Sequence, residues 1–232
     1  MKKTEERIKL SLKKIKQETT DIYSFIFDIQ GDFNWIAGQH GIFRFVNRKI
    51  KDEKEFRIFS FASIKEENAL LFSTRIVNDP SNFKKNLLEL KPGDLMSIDS
   101  SMGKFILEDY TKPNCLIAGG IGITPIRCFI KQMDLLEINP NNMEVLYSDD
   151  RGEFAYEEIF KQIDKKYSGL NISFISDRDL LNQKIDSFVE NYKNDGDYYI
   201  SGAPGMVDFI TNKLINSGIE KTNIKTDLFV GY

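Results

Sequence analysis

The chain has 232 residues, of which 41% are hydrophobic and 29% charged, and its formal net charge is −3. This composition suits one large or two small globular domains, and the nearly balanced charge argues against nucleic-acid or membrane binding as the main task. Its two cysteines are too few for an iron–sulfur cluster and lack a zinc spacing. We therefore predict no metal site and expect both thiols to be buried and inert.

The first half of the chain alternates apolar and polar residues. Residues 7–29, 41–46, 70–77 and 96–98 show this period of two, which is typical of half-buried strands. Polar turns such as Lys91-Pro-Gly-Asp94 separate the strands, and residues 81–90 have the apolar spacing of a short helix with Ser81 as its N-cap. Many short strands joined by turns predict an antiparallel β-barrel or sandwich, and we place a barrel domain at residues 1–110.

The second half alternates strands with helices. Helical patterns at about 124–137, 154–167, 181–191 and 206–217 are interleaved with strand-like runs at 115–118, 144–147, 171–175, 198–201 and 225–230. This rhythm predicts an α/β domain, with an open and mostly parallel sheet covered by helices on both faces. We place it at residues 111–232, with a hinge near 108–114, where Thr111-Lys-Pro breaks both patterns.

A glycine cluster follows the first strand of the second domain. Gly119-Gly-Ile-Gly122 leads through Thr124 to Pro125, which suits the first turn of a helix. Bare backbone before a helix start is typical of a pyrophosphate site, because glycines allow close approach and free N–H groups attract an anion. The dinucleotide fingerprint G-x-G-x-x-G fails at Pro125, so a strand–helix turn without a ligand stays open as the alternative.

Two further segments carry candidate binding chemistry. Ser201-Gly-Ala-Pro-Gly-Met206 is a second small-residue loop that opens a helix, and we expect it beside the glycine cluster at the same edge of the sheet. Arg57-Ile-Phe-Ser60 combines an arginine for phosphate, an aromatic ring to cover a flavin and a hydroxyl for a ring nitrogen. For this tetrapeptide alone, an ordinary strand with an exposed arginine is the alternative.

Taken together and in this order, the segments resemble the ferredoxin–NADP reductase superfamily, a two-domain flavoprotein electron-transfer module. Arg57-Ile-Phe-Ser60 is similar to its R-x-Y-S flavin motif, residues 119–125 to its nicotinamide-dinucleotide loop and residues 199–206 to its C-G-P-P-x-M segment. Residues 34–39, 72–87, 90–94, 103–107 and 227–232 are similar to other family segments. The resemblance covers nearly the whole chain.

The resemblance implies FAD in the barrel domain. Arg57 would pair with the FAD pyrophosphate, aided by the helix start at Ser81, and Arg75 lies in the stretch that wraps the diphosphate in the family. Phe59 would lie against the flavin, and Ser60 would hydrogen-bond near flavin N5.

The resemblance also implies NADH or NADPH in the second domain, with hydride transfer to flavin N5. The residues that would bind this coenzyme are Gly119, Gly120, Gly122, Thr124, Pro125, Gly202, Pro204 and Met206. Ser201 and Asp227 would join Ser60 on the hydride path. Phe229 or the terminal Tyr232 would stack on the flavin, although a core position for Phe229 and a frayed end for Tyr232 are the alternatives.

Some residues depart from the family's pattern. Ser201 stands where a cysteine is often found, and Phe59 replaces a tyrosine. The choice of coenzyme depends on the residues after the second and third strands of the domain, Ser148 and Asp177. NADPH users of the family commonly place an arginine directly after the serine of the third strand, but here Asp177 holds that position and Arg178 comes one residue late. This arrangement favours NADH.

The function implied by the resemblance is that of an FAD-dependent NAD(P)H oxidoreductase that serves a separate acceptor, such as a ferredoxin, a flavodoxin or an oxygenase component. A flavin reductase that uses free flavin as a substrate is one alternative, and a non-catalytic nucleotide-binding redox sensor is another. The sequence shows no signal-peptide core and no apolar run of bilayer length, so we expect a cytoplasmic protein.

Overall fold

The structure, a computed structural model, describes residues 7–51 and 53–230. The chain divides into two compact units, the first ending at Ile106 and the second beginning at Leu107. The boundary expected from the sequence, between residues 110 and 111, lies a few residues further along. The domain limits given above stay a prediction.

The first unit is an antiparallel barrel. Its sheet contains β1 (Ile8–Gln17), β2 (Ile22–Gln30), β3 (His40–Phe45), β4 (Phe56–Ser60), β5 (Leu70–Arg75) and β6 (Leu95–Ile98), and the α-helix α1 spans Asn82–Leu88. The strands lie in the order β4-β3-β6-β1-β2-β5. The two outer strands meet where Phe61 bridges Phe72 and the Ala62 N–H donates to the Leu71 carbonyl at 2.7 Å. The predicted barrel is therefore confirmed.

Aromatic side chains fill the interior of this barrel. Phe72 is fully buried, and its ring centroid lies 4.3 Å from that of Phe59, 4.6 Å from Phe43, 5.3 Å from Phe25 and 5.7 Å from Phe27. The period-two alternation of the strands produces this cluster, because every second side chain faces the same side of a sheet.

The second unit is a five-stranded parallel sheet flanked by four α-helices. The strands are β7 (Asn114–Gly119), β8 (Met143–Ser148), β9 (Leu170–Ile175), β10 (Asp197–Gly202) and β11 (Ile224–Leu228). The helices are α2 (Ile123–Leu135), α3 (Glu157–Asp164), α4 (Arg178–Tyr192) and α5 (Pro204–Asn216). The strand order is β11-β10-β7-β8-β9, and all the pairs are parallel. This confirms the predicted α/β class.

The helices cover both faces of this sheet. Tyr198 and Tyr199 are neighbours on β10 and so point to opposite faces. The Tyr198 ring lies 5.5 Å from Phe188 of α4, and the Tyr199 ring lies 5.9 Å from Phe129 of α2. Between these layers Cys115 is fully buried, and burial raises the pKa of its thiol far above the ordinary value. Such a thiol stays protonated and unreactive.

The strand order reverses between β7 and β10. From β7 the chain proceeds outward through β8 to β9, whereas β10 and β11 lie on the other side. Ligands of open α/β sheets bind at such a reversal, beyond the carboxyl ends of the strands. The glycine cluster after β7 and the small-residue loop after β10 both begin there. Among the described residues, no helix combines the length and apolar character needed to cross a bilayer.

Candidate functional site

Three cations converge at the start of α1 in the barrel unit. Arg57 lies on β4, Arg75 at the end of β5 and Lys84 in the first turn of α1. Burial, followed by the charges of Arg57 and Arg75, lowers the pKa of Lys84 below its ordinary value. Like charges act on a pKa in this way only when they are near one another. The cluster is therefore suited to an anion of high charge. The sequence singled out both arginines but not Lys84.

Acidic side chains partly neutralise this cation cluster. Arg57 Nη2 donates to Glu53 Oε2 at 2.5 Å, and Arg75 Nε lies 3.6 Å from Asp21 Oδ2. Glu53 Oε1 also accepts from the Asn82 N–H at 2.7 Å. Burial alone would raise the pKa of Glu53, but hydrogen bonds from backbone amides and the charge of Arg57 outweigh it and lower the pKa. Glu53 is thus held as an anion beside Arg57.

Phe59 lies in the aromatic core of the barrel. It is 8% exposed, and its ring stacks on Phe72 with an interplanar angle of 1°. Its other ring neighbours, Phe43 and Phe83, are also hydrocarbon. These surroundings favour phenylalanine over the family's tyrosine, since a hydroxyl here would need a polar partner. Phe72 covers one face of the ring, and the expected contact with flavin stays a prediction.

The other predicted site residues of the barrel lie at the start of α1 and at the end of β4. Ser81 caps α1, because its Oγ accepts from the Lys84 N–H at 3.4 Å, as the sequence indicated. Ser60 ends β4, is 7% exposed and pairs in register with His40. The guanidinium of Arg57 lies 5.1 Å from the centroid of the Phe83 ring, so α1 helps to position this arginine.

The glycine cluster of the second unit packs directly on the β10–α5 loop. Gly120–Gly122 form a 3-10 turn that continues into α2, and Gly120 has a φ of +52°, which favours glycine. A Cβ on Gly122 would lie 2.1 Å from the Ser201 carbonyl oxygen, and one on Gly119 would lie 2.1 Å from Met206 Sδ. Packing against backbone therefore explains Gly122, whereas a Cβ on Gly119 would meet the flexible Met206 side chain. The two loops meet as the sequence predicted.

Two helix starts without side-chain caps lie at this reversal of strand order. No side-chain hydrogen bond from a described residue caps the 3-10 turn before α2, α2 itself or α5. By contrast, Ser81 caps α1 and Asp177 caps α4. The first amides of an uncapped helix attract an anion, so a pyrophosphate suits this edge. Pro204 is the first residue of α5, where it removes no helical hydrogen bond.

Ser201 has a buried hydroxyl without a partner. The residue is fully buried, and its Oγ has no hydrogen bond to any described residue. A buried donor without a partner destabilises the fold, so its presence calls for an explanation such as a bound ligand. Asp227 on β11 is the register neighbour of Ser201 and is half-buried. The structure thus brings together two residues that the sequence assigned to the hydride path.

Other predicted residues are tied into the local backbone. The Thr124 hydroxyl donates to the Ile121 carbonyl at 3.1 Å, and both Thr124 and Pro125 are buried in the first turn of α2. The Phe229 N–H donates to the Gly202 carbonyl at 2.9 Å, which anchors the segment after β11 to the β10–α5 loop. Tyr232 lies outside the described residues.

The far side of the same edge carries the residues expected to select the coenzyme. Ser148 ends β8, in register with Gly119 of β7. Asp177 lies at this edge too, but its carboxylate accepts from the Asp179 and Leu180 amides as the cap of α4. Arg178 makes two hydrogen bonds with Asp150, at 2.5 and 3.2 Å. The guanidinium of Arg178 is therefore engaged by the carboxylate of Asp150, for which the sequence predicted no role.

Residues 116–212, from β7 into α5, match the family described as the oxidoreductase NAD-binding domain. The whole chain superposes on ferredoxin-NADP+ reductase from Plasmodium falciparum with a TM-score of 0.80, at 16% identity and with 97% of each chain covered. The chain has the ferredoxin–NADP reductase fold, and its second unit matches an oxidoreductase NAD-binding domain. The family resemblance deduced from the motifs is confirmed.

Two further proteins are similar to this chain. The FAD/NAD-binding domain of nitric oxide dioxygenase from Vibrio cholerae has a TM-score of 0.74 at 18% identity, with 95% of this chain and 98% of that chain covered. One subunit of the Na(+)-translocating NADH-quinone reductase from Mannheimia succiniciproducens is 26% identical over 88% of this chain. The match covers 56% of that relative, so the chain spans a little over half of its length.

Proposed function

We propose that the chain is an FAD-dependent NADH oxidoreductase, which transfers hydride from NADH to flavin N5 and passes the electrons to a separate acceptor. The observation that carries this proposal is the convergence of Arg57, Arg75 and Lys84 in a chain whose other unit is an NAD-binding domain. A diphosphate is the part of FAD that such a cation cluster would recognise.

The residues of the chain would act mainly by holding and orienting the two cofactors. The cation cluster would hold the FAD diphosphate, and the Ser60 hydroxyl would hydrogen-bond near flavin N5. The amides that start α2 and α5 would hold the NADH pyrophosphate. The buried Ser201 hydroxyl would find its missing partner in the nicotinamide carboxamide, while Asp227 beside it would orient the ring.

Two observations support NADH over NADPH. Arg178, a cation at the coenzyme-selecting edge, is already paired with Asp150, and a 2′-phosphate would have to compete with that carboxylate. The relative from Mannheimia succiniciproducens is named as part of an NADH-quinone reductase. For the acceptor, we propose a separate electron carrier such as a ferredoxin, a flavodoxin or an oxygenase component.

The test is an absorption spectrum of the purified protein, followed by anaerobic addition of NADH or NADPH. We expect a flavin spectrum that NADH bleaches much faster than NADPH. A coloured protein that neither nucleotide bleaches would contradict the hydride transfer and favour the redox sensor.

A flavin reductase is the second candidate, and the ion pair between Glu53 and Arg57 favours it. An arginine that is already paired would bind a flavin diphosphate weakly, as expected for an enzyme that releases its flavin. In the same experiment, this candidate predicts a colourless protein that oxidises NADH only when free flavin is supplied.

A further inference from the structure

We infer that Glu53 is a built-in competitor for the flavin diphosphate, an internal anion that occupies one N–H group of Arg57 until the diphosphate displaces it. The inference rests on the flavin site proposed above. It concerns the affinity of that site and therefore whether the flavin is kept or exchanged.

Three N–H groups of Arg57 already donate within the chain. Its Nη1 donates to the backbone carbonyls of Lys54 and Phe56, at 3.0 and 2.9 Å. Its Nη2 donates to Glu53 at 2.5 Å. Both terminal nitrogens of the guanidinium are thus engaged within the loop before β4 and at its first residue. Nη2 carries a second N–H, so a phosphate oxygen can approach Arg57, but it must displace the Glu53 carboxylate to take the N–H that is bonded to it.

Glu53 is held firmly enough to compete but is placed where it can leave. Each carboxylate oxygen accepts a backbone amide, from Asn82 at 2.7 Å and from Phe83 at 3.4 Å, in addition to the bond from Arg57. The side chain of Glu53 is 22% exposed, so the carboxylate has a path to water. In water it would regain hydration in exchange for these contacts, so its departure costs less than the loss of the contacts alone.

Charge makes the competition specific for the anionic part of the ligand. Glu53 brings one negative charge next to the three cations that would attract the diphosphate. FAD should therefore bind more weakly than the cations alone would allow. Riboflavin has the same ring system but no phosphate, so its binding should not depend on Glu53.

The test compares flavin-free wild type with Glu53→Gln in titrations monitored by quenching of flavin fluorescence. Glutamine keeps an oxygen that can accept the Asn82 N–H but removes the charge. We expect Glu53→Gln to bind FAD about tenfold more tightly and riboflavin with unchanged affinity. The gain should vanish when Arg57→Gln is added, because the competition acts through Arg57.

The matched control is Glu89→Gln. Glu89 follows α1 at its other end, and its only described ion pair is a loose one with Arg48, at 3.9 Å. This variant removes the same charge, and we expect its FAD affinity to stay within about twofold of the wild type. Thermal unfolding of each variant, without flavin, checks that the barrel remains folded.

Several results would overturn the inference. One is an equal gain for FAD and riboflavin, which would indicate a general opening of the site. Another is weaker FAD binding by Glu53→Gln, which would make Glu53 a support for Arg57 rather than a competitor. A wild type that binds FAD as tightly as Glu53→Gln would also refute it while leaving the proposed function intact. If no variant binds any flavin, the proposed function itself fails.

Discussion

The two regions proposed to bind phosphate groups would recognise an anion in different ways. The barrel unit uses charged side chains, with Arg57, Arg75 and Lys84 drawn together from two strands and a helix. The α/β unit uses bare backbone, where glycines let two uncapped helix starts approach each other. A cluster of cations attracts acids from its own chain, whereas a backbone site needs no counter-charge. The first site should therefore respond to charge, salt and pH, and the second to the size of a side chain.

The largest effect should come from Gly122→Ala. The added Cβ would lie 2.1 Å from the Ser201 carbonyl oxygen, and neither backbone can move freely. We expect a loss of about 3 kcal/mol in the free energy of unfolding of the α/β unit, as measured by urea denaturation. The control is Gly205→Ala in the first turn of α5, where nothing lies within 4 Å of the added atom. If Gly122→Ala and Gly205→Ala were equally stable, the α/β site would not be sensitive to side-chain size as stated.

Arg57→Gln should weaken FAD binding by about 2 kcal/mol, because a charge-assisted contact to phosphate is lost. Titration at several salt concentrations provides the sharper measurement. The wild type should lose FAD affinity as salt rises, and the variant should lose less. Arg48→Gln, on the same barrel and paired with Asp94, serves as the control and should bind FAD like the wild type. A salt response that is the same with and without Arg57 would argue against recognition by charge.

Ser201→Ala should slow flavin reduction by NADH about tenfold while leaving stability unchanged or slightly improved. The hydroxyl has no partner among the described residues, so its removal leaves no protein group unsatisfied. Stopped-flow absorbance and thermal unfolding, measured on the same sample, separate the two effects. Ser201→Cys, which restores the residue common in the family, should keep most of the rate. If Ser201→Ala reduces flavin at the wild-type rate, the hydroxyl has no part in the hydride path.

The smallest effect should be a pH dependence that arises from Lys84. Its pKa is lowered in the flavin-free protein, so the charged form is disfavoured there. As the pH rises through that lowered pKa, Lys84 loses its proton and FAD affinity should fall severalfold. Below it, the charged lysine destabilises the flavin-free fold, and this cost disappears as the pH rises. Lys84→Met should therefore raise the melting temperature at neutral pH and abolish this pH dependence.

The control for that measurement is the adjacent Lys85, an exposed residue whose ammonium lies 3.4 Å from Asp79. Lys85→Met should retain both the pH dependence and the wild-type melting temperature. A similar pH response in Lys84→Met and in the wild type would assign the titration to another group.

The sequence predicted the elements better than it predicted the partners of each side chain. Period-two and helical patterns are local, so β1 to β11 and the five helices followed from short windows. Glu53 lies in a polar loop and resembles any solvated acid. Its partner Arg57 is only four residues away, but the fold is needed to bring it to Asn82. Asp177 was assigned to the coenzyme because it follows a strand, but the same position is the N-cap of α4.

The glycine cluster also shows what a sequence motif cannot separate. Its motif indicated a ligand, and the structure adds a reason that involves no ligand, because Gly119 and Gly122 lie against Met206 and Ser201. One short motif can satisfy packing and binding together. Sequence spacing alone does not separate these two demands, since both require the absence of a Cβ at the same positions.

The two sheets also differ in how they end. The barrel joins its outer strands, whereas the parallel sheet ends at β11 on one side and at β9 on the other. An edge strand can act as a template for pairing with another chain. Lys225 lies in β11, and its ammonium bonds Asp197 at 2.7 Å and lies 5.3 Å from the centroid of the Tyr199 ring. A charge turned inward on an edge strand makes that edge a poor template for another chain. We therefore expect Lys225 to hinder the pairing of β11 with a strand of another chain.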